Sequence, residues 1–104
     1  METLTKNEKL NRLFSYYKNL LTEKQQTYFM EYYYLDLSLQ EIADKYSVSR
    51  NAVFDQLKKT ENHLKDFESK LNLVSLADKR IDLVSKYNQT KDNKYLEQLR
   101  KMDL

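Results

Sequence analysis

The chain of 104 residues contains no glycine, proline, cysteine or tryptophan. Each absence removes a class of protein. Phosphate-cradling loops and dinucleotide fingerprints need backbone without a Cβ, so neither is encoded. A disulfide framework, a thiolate metal site and a cysteine nucleophile are all excluded. Tight hairpin turns lose their best residues, which argues against a multi-stranded β fold. No run approaches the roughly 18 apolar residues of a membrane span, and the mean hydropathy is −0.86. The opening Met1-Glu-Thr-Leu-Thr-Lys has no apolar signal core. The expectation is a soluble, cytoplasmic, all-helical domain without membrane insertion, cofactor or small-molecule substrate.

What the chain does have is tyrosine and charge. Aromatic residues make up 12% of it, too many for a disordered chain, and most lie between Phe14 and Phe54. A packed core is expected there. Leu10, Leu13, Phe14, Tyr17, Leu20 and Leu21 recur at steps of three and four and predict one buried face on a first helix. Thr5 with Glu8 reads as a capping box, starting that helix near Lys6. Thr22 with Gln25 opens a second helix, whose inner face is Phe29, Tyr32 and Tyr33, widened by Tyr28 and Leu35. The run Tyr32-Tyr33-Tyr34 cannot be buried all round, and Asp36 is its expected stop. Ser38 with Glu41 caps a short third helix, with Leu39, Ile42, Ala43 and Tyr46 inward.

Ser49 caps a long fourth helix from about Arg50 toward Leu71. Val53, Leu57, Thr60, Leu64, Phe67 and Leu71 form a narrow seam on it, which raises a homodimer as one way of covering that length. Asn72 interrupts, standing in for glycine. Leu76, Ala77, Ile81, Val84 and Tyr87 indicate a fifth helix, Asn88-Gln89-Thr90 a short break, and Tyr95, Leu96, Leu99 and Met102 a last helix. The expected organisation is a helical bundle over residues 1–71 and a helical extension over 72–104 that packs on it.

The segment from Leu37 to Leu57 reads as a helix-turn-helix, about residues 38–60. Ala43 is small where the second helix of the pair crosses. Ile42, Val48 and Val53 fill the wedge between the two. Leu21-Thr-Glu-Lys-Gln, Tyr32-Tyr33, Leu37-Ser-Leu-Gln-Glu-Ile-Ala and Val48-Ser-Arg-Asn-Ala-Val together resemble region 4 of bacterial sigma factors. The continuation Phe54-Asp-Gln-Leu-Lys-Lys-Thr-Glu-Asn-His-Leu is similar to a narrower group, the YlxM family of small bacterial helix-turn-helix proteins. The resemblance covers Leu21 to Leu73, about half the chain. It implies a regulatory or accessory role in the signal recognition particle pathway, with the targeting GTPase Ffh as a partner; the alternative is a DNA-binding transcriptional regulator.

The charge pattern bears on that choice. Residues 1–37 and 38–71 each balance at zero, and the net +2 sits in residues 72–104. DNA-binding modules concentrate cations where phosphates run, commonly at about six to ten contacts. Ser49, Arg50, Asn51, Phe54, Lys58 and Lys59 are the candidate contacts to nucleic acid or to a partner. Arg50 suits a guanine edge and Asn51 an adenine edge. Phe54 suits a protein interface if exposed; the other reading packs it inward beside Tyr46. Asp55 fits a DNA footprint poorly, although it can accept from a cytosine amine. Lys79, Arg80, Lys86, Lys91, Lys94, Arg100 and Lys101 admit an RNA-binding reading, but solvated helix faces look the same. His63 stands without a second ligand and marks neither a metal site nor a catalyst. Ser47 departs from the usual glycine of a helix-turn-helix turn.

Overall fold

The computed structural model describes residues 4–102. Among them are six α-helices and no strand: α1 Lys6–Tyr17, α2 Glu23–Phe29, α3 Leu39–Tyr46, α4 Arg50–Leu71, α5 Leu73–Thr90 and α6 Asn93–Met102. A short 3-10 turn, Lys18–Leu20, follows α1, and a π-helical stretch, Met30–Tyr34, extends α2. The chain divides into two compact units, the first ending at Leu71 and the second starting at Asn72.

Side-chain caps start the helices of the first unit. The Thr5 hydroxyl accepts from the Glu8 N–H at 3.1 Å while the Glu8 carboxylate accepts from the Thr5 N–H at 2.8 Å. Thr22 with Gln25, and Ser38 with Glu41, repeat the same reciprocal pairing. Each box satisfies two backbone donors that have no partner inside the helix.

The first unit is built around two buried clusters of side chains. Phe14 of α1 stacks on Phe29 of α2, with ring centroids 4.4 Å apart, and Phe29 also meets Tyr33 at 4.5 Å. Tyr28, Ile42, Ala43, Val53 and Leu57 form the second cluster, between α2, α3 and α4. The α4 seam is covered within this unit by α1 and α2: Val53, Leu57, Thr60 and Leu64 are buried, and Phe67 meets Tyr17 at 6.0 Å. Leu71, the last residue of the seam, is 48% exposed.

In the first unit Tyr46 and Leu71, read as inward, are 37% and 48% exposed, and Leu20 and Leu35 also depart from the periodicity reading. Leu20 lies in the 3-10 turn and is 55% exposed, because three residues per turn rotate it off the α1 face. Leu35 is 63% exposed, since the π stretch inserts extra backbone and moves it off the α2 face. Tyr34 is the exposed ring of the tyrosine run.

The second unit is a hairpin. Leu83 is buried, and Leu76, Tyr87, Tyr95, Leu99 and Met102 are half-buried where α5 and α6 meet. Ile81 and Val84, read as part of the helix pattern, are exposed. The expected break at Asn88-Gln89-Thr90 is also wrong, as α5 runs on to Thr90 and turns at Lys91. There the Thr90 hydroxyl accepts from the Asp92 N–H at 3.2 Å, and the Asp92 carboxylate accepts from the Lys94 N–H at 3.0 Å, opening α6.

Asp36, Ser47, Asn72 and Lys91 hold left-handed backbone, with φ of 58°, 55°, 57° and 56°. Left-handed backbone costs a residue with a Cβ about 1–2 kcal/mol. Ser47→Gly is therefore expected to raise the stability of the first unit by about 1 kcal/mol, read as a higher urea midpoint with an unchanged slope. A lower midpoint would show that the Ser47 hydroxyl contributes more than its backbone costs.

Candidate nucleic-acid or partner interface

The turn between α3 and α4 is assembled by backbone rules. The Val48 N–H donates to Ala43 C=O at 3.0 Å, and the Ser47 N–H donates to Asp44 C=O at 3.4 Å. This is a Schellman closure with serine at the left-handed position. Val48 is thereby turned into the wedge beside Ile42, Ala43 and Val53. The Ser49 hydroxyl then accepts from the Ala52 N–H at 3.0 Å and starts α4 at Arg50. Ala43 is fully buried where α3 crosses α4, and the pair forms a helix-turn-helix.

The geometry sorts the candidate residues. Arg50, Phe54 and Lys58 recur at steps of four and share one row, with Asn51 beside it; all are exposed. Lys59 is exposed too, but lies about 100° round the helix from Lys58 and so off that row. Ser49 contributes its cap; its oxygen is already engaged. Phe54 is 47% exposed. It does not pack beside Tyr46, whose ring meets Tyr28 at 5.4 Å. Instead Phe54 borders a depression of ≈ 280 Å³ together with Tyr32, Tyr33, Leu39, Leu57 and Lys58.

Two of the four cations near the row are paired. Lys45 reaches Glu31 at 2.5 Å and Lys58 lies 3.8 Å from Glu61. Arg50 and Lys59 have no ion pair among the described residues.

Beneath the surface, three tyrosine–carboxylate bonds join helices. Tyr17 donates to Glu68 at 2.5 Å, Tyr33 donates to Glu61, and Tyr46 donates to Glu31 at 2.6 Å. Glu31 and Glu61 are only 6% and 7% exposed. Burial and the Glu61 carboxylate push the Tyr33 hydroxyl far above the usual phenol range. For Glu31, burial works to raise the carboxyl, but the hydrogen bonds from Lys45 and Tyr46 outweigh it and hold it below its ordinary value. These pairs were missed in the sequence. Their signal is register: Glu61 lies four residues after Leu57 and three before Leu64, on the inward row, where an acid needs a donor.

The Glu31 arrangement predicts an acid dependence. A depressed folded value means that the carboxylate contributes stability above its unfolded value, and that this contribution is lost as pH falls through the folded value. Glu31→Gln is expected to lower stability at neutral pH and to flatten its decline below the ordinary carboxylate range. Urea midpoints across that range, for both proteins, check this; parallel acid limbs would remove Glu31 as a source of the decline.

Among the described residues no three histidine, cysteine, aspartate or glutamate side chains gather as metal ligands, and no helix is long and apolar enough to cross a membrane. His63 stacks against Phe67 at 6.1 Å.

Known proteins are similar to this sequence. The model of the UPF0122 family, described as helix-turn-helix protein, YlxM / p13 like, matches residues 4–103. A UPF0122 protein of Halalkalibacterium halodurans is 43% identical over 89 residues, spanning 86% of this chain and 82% of that protein. UPF0122 proteins of Bacillus thuringiensis and Bacillus mycoides are each 46% identical over 86 residues, spanning 83% of this chain and 78% of theirs. With a helix-turn-helix in the fold and this likeness along nearly its whole length, the chain belongs to the YlxM / p13-like family.

Proposed function

We propose that this protein is a non-catalytic regulatory helix-turn-helix protein of the cytoplasm, and that the α4 row docks a protein partner. The observation that carries the reading is Phe54, a half-exposed aromatic ring at the centre of the row. Aromatic side chains with a depression beside them are the usual anchors of protein interfaces. Neutral charge over the first 71 residues supports a protein surface over a phosphate backbone. The YlxM resemblance nominates the signal recognition particle GTPase Ffh. Immobilised chain is expected to retain purified Ffh at low and physiological salt, and Phe54→Ser to weaken retention at least about tenfold, as loss of an anchor does. Retention no better than on bare beads would dismiss Ffh as the partner.

DNA binding is the second reading, favoured by Arg50 and Asn51 at the exposed start of α4, the end that reads base edges in other helix-turn-helix proteins. Fluorescence anisotropy with genomic and random duplexes at low salt tests it. Binding that Arg50→Ala weakens and Phe54→Ser leaves intact would transfer the row to DNA. Absence of binding at low salt, where even non-specific contacts persist, would end the DNA reading.

A further inference from the structure

The cations of the α5–α6 hairpin are mostly engaged. Lys86 pairs with Asp82 at 2.9 Å, Lys94 with Asp92 at 3.8 Å and Arg100 with Glu97 at 3.6 Å, while Lys91 lies over the Tyr87 ring at 5.3 Å. Lys79 and Lys101 have no ion pair among the described residues. They belong to different helices, yet both line the same depression of ≈ 360 Å³, together with Leu76, Gln98 and Met102 among the described residues. No acid lines it.

We infer that this depression is a docking site for an acidic segment of a partner protein, one that sets an apolar side chain between two carboxylates. The apolar floor and the two unpaired cations require both halves of that description. Leu76 and Met102 offer contact to an aliphatic or aromatic side chain, and a thioether adapts to several shapes. Lys79 and Lys101, both exposed, gain from flanking carboxylates. A second copy of the chain is a poor occupant, because it brings the same two lysines to the contact. A nucleic-acid strand is also a poor fit: two cations fall short of the several phosphate contacts such binding uses, and a phosphate gains nothing from the apolar floor. The site lies on a different unit from the α4 row and does not depend on its reading.

The test uses the intact chain, isotope-labelled for NMR, and three synthetic hexapeptides. One alternates glutamate and leucine; the second replaces each glutamate with glutamine; the third replaces each leucine with serine. The first is expected to shift the Leu76 and Met102 methyl signals and the Gln98 side-chain amide in a saturable manner. Both controls should bind weaker. The double variant K79Q/K101Q keeps the helices, read by circular dichroism, and should weaken binding about fivefold, as for two exposed ion pairs. Equal binding of the glutamine peptide, no shift at these groups, or a single-stranded RNA hexamer shifting them more strongly than the acidic peptide would each overturn the inference.

Discussion

Phe29→Ala is expected to cost the first unit about 3–5 kcal/mol, the range for truncating a fully buried phenylalanine. The ring has no exposed surface and lies between Phe14 and Tyr33, so its removal opens a cavity that neither neighbour can close without leaving its own contact. A unit of about 70 residues has roughly 4–10 kcal/mol of stability in total. The variant should therefore unfold at a small fraction of the parent's urea midpoint, or not fold at all. Phe54→Ala supplies the contrast: a half-exposed ring should change the midpoint by about 0.5 kcal/mol or less. Chemical denaturation followed by far-ultraviolet circular dichroism reads both. Similar losses at the two positions would mean that Phe54 is a core residue, and the docking role proposed for it would fall with that result.

Ala43→Leu is the second large effect, and it acts on the helix-turn-helix itself. Ala43 is fully buried at the crossing of α3 and α4, and its backbone carbonyl closes the turn through Val48. Three added carbons have nowhere to go except between the helices. Overpacking of this kind costs about 1–3 kcal/mol. Relief comes only by splaying α3 from α4, which breaks the closure at Ser47 and displaces the wedge of Ile42, Val48 and Val53. Stability should fall by that amount, and capture of the α4 partner should fall with it although no exposed residue has changed. A folded variant with unchanged capture would show that the row acts alone, without α3 behind it.

Much of the architecture was legible because helix ends are written in short, local chemistry. Thr5, Thr22, Ser38 and Ser49 each place an oxygen over the next turn, and the partner three residues on confirmed the first three of these starts in sequence. Asp36, Ser47 and Asn72 were readable as stops, since short polar side chains tolerate the left-handed region best. Lys91 carries no such preference. Its backbone is set by the Thr90 and Asp92 side chains on either side, a pattern that only the cap of α6 reveals. Leu20 and Leu35 were misread because a 3.6-residue period was extended across a 3-10 turn and a π stretch, where it does not hold.

Phe54 shows where periodicity runs out. It stands three residues before Leu57 and one after Val53, on the margin between the buried row and solvent. A margin position has no preferred side until its neighbours are in place. Here Tyr46 is taken up by Tyr28 and Glu31, so the inward berth is filled and the ring faces out. The tyrosine–glutamate pairs were hidden for a different reason: they join residues 51, 28 and 15 positions apart.

The four left-handed residues also bear on the chain before it folds. A glycine at each turn would relax the native backbone, but it would also widen the range of conformations that the unfolded chain explores and must surrender. With Asp36, Ser47, Asn72 and Lys91 in those places, part of the native strain is offset by a less diverse unfolded ensemble. The lack of proline removes slow peptide-bond isomerisation from that ensemble. Refolding should then reach the native helices without the tens-of-seconds phase that proline imposes, and the four turns become points where helices join quickly.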